Sequence, residues 1–123
     1  MKYYKVVYTE PLGHLVSTGG VGIVRYEIGA WTKPKIFNSK LFVFNDWKCA
    51  MEYLCMLDWT GQSRRKAYEC HVRGVEKVPR RLIAQPFYLD VVSYWAGDPC
   101  YYGMTPPRGT VCVDKVKLVR KVA

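Results

Sequence analysis

The chain is short of acidic residues: 10 Asp and Glu stand against 19 Lys and Arg, a formal charge of +9. It also has no long apolar run, because Lys, Arg, Gly or Pro interrupts each one well before the roughly 18 residues that a membrane-spanning helix needs. A membrane-spanning helix is not expected, and the charge favours anionic partners such as nucleic acid, a nucleotide or an acidic protein surface. Behind Lys2 and Lys5 there is no apolar stretch of leader type, since Glu10, Pro11 and Gly13 follow directly. No CxxC or CxxH pair occurs among the five cysteines, Cys49, Cys55, Cys70, Cys100 and Cys112. A structural zinc site of the usual spacing is therefore absent, and an odd, scattered set does not make a disulfide framework. Most of these thiols are expected to be small buried hydrophobes in a reducing cytoplasm, with Cys100 the exposed one.

Catalytic sets are missing in the same way. Only two histidines, His14 and His71, are present, and neither falls into a triad order or a metal-ligand spacing. Gly19-Gly20-Val21-Gly22 lacks the Lys-Ser/Thr of a phosphate-binding loop and runs toward a strand instead of a helix, so it reads as a hairpin connection. No metal and no cofactor is expected, and enzymatic activity is disfavoured.

What is present is a foldable core. Half of the 123 residues are hydrophobic and 15% are aromatic, enough to offset the ordering entropy of a single domain over 1–123. Lys2 to Thr9 reads as a strand, a turn at Glu10-Pro11-Leu12-Gly13 leads to a second over His14 to Thr18, and Ile23 to Ile28 makes a third. Trp31 to Lys35 reads as a basic loop, because Pro34 removes a ladder donor and holds Lys33 extended. Leu41 to Phe44 is a strand, followed by Asn45 or Asp46 as a helix cap. Trp47, Ala50, Met51, Leu54 and Leu57 then recur at the spacing of one helical face, giving a helix over about 46–57. From Ala67 to Arg73, Tyr68, Cys70 and Val72 alternate with Glu69, His71 and Arg73, a strand with one wet face. Five prolines punctuate 74–109, where Tyr88 to Trp95 could form a strand, and Gly109 to Asp114 and Val116 to Val122 close the chain with β character. The expected architecture is α+β, a curved, mainly antiparallel sheet with one principal helix packed on it.

The binding candidates are cations beside aromatics: Trp31, Lys33, Lys35 and Lys40 around one loop, the run Arg64-Arg65-Lys66, and Arg108 with Tyr101 and Tyr102. Phe37 and Trp95 are further aromatics expected in loops. Aromatic faces with neighbouring cations can stack on bases while neutralising phosphate, and they can equally anchor a protein interface.

Several phrases in order, Tyr4-Lys5-Val6-Val7, Leu15-Val16-Ser17, Arg25-Tyr26-Glu27-Ile28-Gly29, Leu41-Phe42-Val43-Phe44 with Ala50 six residues on, Tyr68-Glu69-Cys70-His71-Val72 and Pro107-Arg108-Gly109-Thr110-Val111, resemble small bacteriophage and prophage proteins. The resemblance implies a viral binding protein acting in the host cytoplasm on an anionic partner, including counter-defence roles against CRISPR complexes or nucleotide signalling. A strand like Leu41 to Phe44, a helix carrying an Ala and a strand like Tyr68 to Val72 also resemble an ADP-ribosyltransferase-like scaffold. That resemblance implies an enzyme acting on a host target, with Tyr26, His14 or His71 near a nicotinamide pocket. The terminal Glu of such enzymes has no counterpart, since no Glu follows Glu76. A virion or assembly component, forming homo-oligomers through Trp and Tyr faces, is the third expectation.

Overall fold

A computed structural model describes residues 1–10, 13–17, 24–35, 39–57, 64–78, 82–83, 92, 94–97 and 103–123. The strands are β1 (Tyr3–Thr9), β2 (Leu15–Ser17), β3 (Arg25–Tyr26), β4 (Trp31–Thr32), β5 (Leu41–Phe44), β6 (Arg65–Arg73), β7 (Glu76–Lys77), β8 (Leu82–Ile83), β9 (Gly103–Met104), β10 (Thr110–Val113) and β11 (Lys115–Lys121). One helix, α1 (Trp47–Leu57), follows β5. Nine strands form one open antiparallel sheet in the order β4-β11-β6-β1-β5-β10-β7, with β2 added to β1 and β3 to β2, while β8 and β9 pair separately. The architecture is α+β, as the alternation and the single amphipathic helix predict.

The strand at the centre explains the layering. In β1, Tyr4, Lys5, Val6 and Val7 are all buried, so both faces of this strand are covered. Val7 joins Val24, Tyr26, Leu41, Val43, Tyr68, Cys70, Val113, Val116 and Leu118 in the larger apolar cluster. Tyr4 and Val6 point the other way and join Phe44, Cys49, Ala50 and Ala67 under α1. The two clusters follow from the two-residue period of a strand. α1 lies against β1, β6 and β5. Its first turn is fixed by Asp46, whose carboxylate accepts the Cys49 N–H at 3.2 Å, a side-chain cap of the expected kind. Hydrogen bonding from the Cys49 side chain and backbone holds the Asp46 carboxyl below its ordinary value. At the same corner Gly109 has φ +83, and a Cβ there would stand 2.8 Å from the Cys49 Cβ. Glycine is the residue that meets both demands.

Two expected elements differ. Trp31 and Thr32 are not loop but the short strand β4, registered as Lys117 with Trp31 and Val116 with Thr32. Gly29, at φ +84, turns the chain and donates its N–H to the Leu118 carbonyl, which lays the next residues along β11 before Pro34 ends the pairing. The apolar stretch ending at Trp95 is not extended where it is described: Val92 and Tyr94–Ala96 are helical. Trp95 stacks on Phe42 at 5.8 Å and packs edge-on against Tyr94 at 4.9 Å, and its buried Nε1 has no hydrogen-bond partner. Short apolar runs carry no periodicity that separates strand from helix, and here packing on Phe42 decides. Of the cysteines, Cys49, Cys70 and Cys112 are buried and free and Cys55 is exposed, whereas Cys100 lies outside the described residues. Phe37 and Gly19 to Gly22 lie outside them as well. Among the described residues no helix is long and apolar enough to cross a membrane.

Candidate functional site

The pleat of β6 puts Ala67, Glu69, His71 and Arg73 on the side of α1. Beyond the end of the helix-covered area, Glu69 is half-buried while His71 and Arg73 are exposed. The register with β11 sets Lys115 opposite Arg73 and Lys117 opposite His71. A β-bulge between Leu118 and Arg120 inserts Val119 and lets Arg120 pair with Glu69. Arg120 Nε donates to Glu69 at 2.8 Å, and Lys2 Nζ lies 3.3 Å from the same carboxylate. The Arg120 and Lys2 hydrogen bonds keep the Glu69 carboxyl below its ordinary value.

At the edge of this surface stands Trp31 on β4, 40% exposed. Lys117 Nζ is 5.2 Å from the centre of its ring and the Arg73 guanidinium carbon 5.4 Å. Both distances fall within cation–π range. β4, β11 and β6 together make a face about 10 Å wide at the usual inter-strand spacing. Arg73, Lys115, Lys117 and Arg120 are its cations and Glu69 its carboxylate. The arrangement offers one aromatic platform with fixed positive charge beside it, and it holds no nucleophile–base pair. Among the described residues no group of three or more His, Cys, Asp or Glu is placed to hold a metal ion.

The candidate residues read from the sequence do not form one cluster. Trp31 stands at the edge of this face, and Lys33 and Lys35 follow it in an exposed segment. Lys40 is engaged elsewhere, donating to Asp114 and lying 3.5 Å from Glu76. Its pKa is raised first by the Asp114 hydrogen bond. Arg64, Arg65 and Lys66 lie at the far end of β6, where Arg65 packs over the Tyr8 ring at 5.7 Å. The six residue steps of β6 from Arg65 to His71 place that run on the order of 20 Å from Trp31. Arg108 is exposed in the turn before β10, near Asp46 and Cys49. Tyr101 and Tyr102 lie outside the described residues. The three residues considered for a nicotinamide pocket do not share a face: Tyr26 is buried in the larger cluster, His71 is exposed on the helix side and His14 is exposed before β2.

Arg73, Lys115 and Lys117 join the face although the sequence reading did not place them there. Their wet-face alternation is visible in the chain, but the pairing of β4 with β11 that brings Trp31 over them is not. No family model, curated protein or solved structure matches the chain.

Proposed function

We propose that the protein is a non-enzymatic binder of single-stranded nucleic acid, held on the face formed by β4, β11 and β6. The observation that carries this reading is Trp31, exposed on an open sheet face and flanked by Lys117 and Arg73. A base stacks on an exposed aromatic ring whatever its identity, and neighbouring cations neutralise phosphates, so such a platform binds with little sequence preference. A face about 10 Å wide accommodates one strand, whereas major-groove reading of a duplex needs a projecting helix or ribbon. The net charge of +9 adds a field that attracts any such polyanion.

Quenching of Trp fluorescence by a labelled poly-pyrimidine oligonucleotide, titrated across a salt series, tests the reading. The Arg73→Gln, Lys117→Gln pair should lower the slope of log affinity against log salt by roughly 1.4, near 0.7 per lost phosphate contact on a single strand. Trp31→Ala should cost about 1–3 kcal/mol of affinity. Unchanged affinity in both variants, or equal binding of duplex of the same length, would overturn it.

A further inference from the structure

We propose that Lys5 and Tyr26 form an internal site for a small, weakly hydrated monovalent anion of the halide or nitrate class. This site lies on the opposite side of the sheet from Trp31 and does not depend on the nucleic-acid reading.

Lys5 is a buried cation, 5% exposed, at the centre of the sheet. Its ammonium donates one hydrogen bond, to the Phe42 carbonyl at 2.6 Å, where the ladder between β1 and β5 has ended at Tyr4 and Phe44. It stands 5.6 Å from the centre of the Tyr26 ring. The Tyr26 hydroxyl is buried and has no hydrogen-bond partner. The ammonium thus has one carbonyl acceptor and the face of the Tyr26 ring, within cation–π range, while the buried Tyr26 hydroxyl is left in an apolar cluster without an acceptor.

A buried charge is tolerated when an opposite charge meets it. Lys2, Lys40 and Arg120 each meet a carboxylate, whereas Lys5 has no carboxylate partner among the described residues. Cys70 is the ionisable group that acts electrostatically on Lys5, but burial pushes its thiol up to about 12, so it stays protonated and supplies no charge. Among the described residues none supplies the counter-charge, which leaves it to be brought in. One ammonium with one neutral donor balances a single negative charge. Val7, Leu41, Val43 and Leu118, all buried in the same cluster, penalise an ion that holds its water strongly, which favours bromide, chloride or nitrate over sulfate or phosphate.

The test is thermal unfolding of the full chain at constant ionic strength while gluconate is replaced by bromide, on wild type, Lys5→Met and Tyr26→Phe. Wild type should gain stability saturably with bromide. Lys5→Met, which keeps the length of the stem without the charge, should lose the response. Tyr26→Phe, which keeps the ring, should weaken apparent bromide affinity by about tenfold, the effect of one hydrogen bond to a charged acceptor. A bromide anomalous peak within hydrogen-bond distance of Lys5 Nζ in crystals should mark the ion directly. Identical bromide responses in wild type and Lys5→Met, or electron density for water alone at that position, would overturn the proposal.

Discussion

Lys5 and Lys117 are the same residue type on two strands of one sheet, and they sit on opposite faces. Lys117 lies beside Trp31 and opposite His71, on the side where Arg73 and His71 reach water. Lys5 lies in the larger cluster, with Tyr26 over it and the Phe42 carbonyl as its acceptor. Desolvation pulls its pKa from 10.5 down to about 8, against a smaller opposing influence of Cys70. The difference is set by what covers each face: α1 leaves the Lys117 region open, whereas β3 brings Tyr26 over the Lys5 side. One ammonium is available to a partner, and the other costs folding energy unless something meets it.

The comparison can be broken by placing a second ammonium on the dry face. Leu118 is fully buried and adjacent to Lys117 in the chain. Leu118→Lys should destabilise by about 4 kcal/mol or more, or prevent folding, as an unpaired buried charge does. Urea unfolding followed by circular dichroism measures it, and a loss below about 1 kcal/mol would mean that this face is wetter than its packing indicates.

Proton linkage sharpens the same contrast. The folded state releases the Lys5 proton near pH 8, while the unfolded chain keeps it until about 10.5. Between those values the unfolded state binds more protons, so this group makes stability rise with pH across the window, by about 3 kcal/mol at most. Below pH 8 its full cost is present. Lys5→Met should remove that rise and, in halide-free buffer at neutral pH, leave the protein about 1–3 kcal/mol more stable. Paired denaturation curves of wild type and variant from pH 7 to 10.5 cancel the contributions of other titrating groups. A flat difference between them would show that Lys5 is not desolvated.

The smallest effect belongs to the open face. Lys117→Leu should change stability by less than about 0.5 kcal/mol, since surface substitutions away from buried networks rarely do more. The same denaturation assay checks this, and a loss above about 1 kcal/mol would place Lys117 in the fold's support.

Much of this architecture was legible because it is written locally. Ala50, Met51 and Leu54 mark the packed face of α1, although Trp47, expected on it, is 44% exposed, and Tyr68, Cys70 and Val72 mark the dry side of β6. What escaped is non-local. Nothing around Lys5 separates it from any other lysine beside tyrosines, because its burial is decided by β3, some twenty residues later in the chain. Trp31 reads as loop beside Pro34, and only its pairing with Lys117 makes it a strand and a platform. Composition leaves open whether the basic groups share one face, and the strand order separates them, sending Arg64 and Arg65 to the far end of β6 and giving Lys40 to Asp114.

The inserted Val119 acts as a phase shifter. Before it, β11 alternates Lys117 out and Leu118 in, and an uninterrupted strand would carry Arg120 and Val122 to the side of Leu118. The single extra residue resets the count, so Arg120 meets Glu69 and Val122 joins the cluster under α1. One unpaired position thus decides that Lys117 and Arg120, in the two halves of the strand, address the same side, while Lys121 falls opposite Tyr68 on the other. The polarity of the whole surface hangs on a one-residue offset in register.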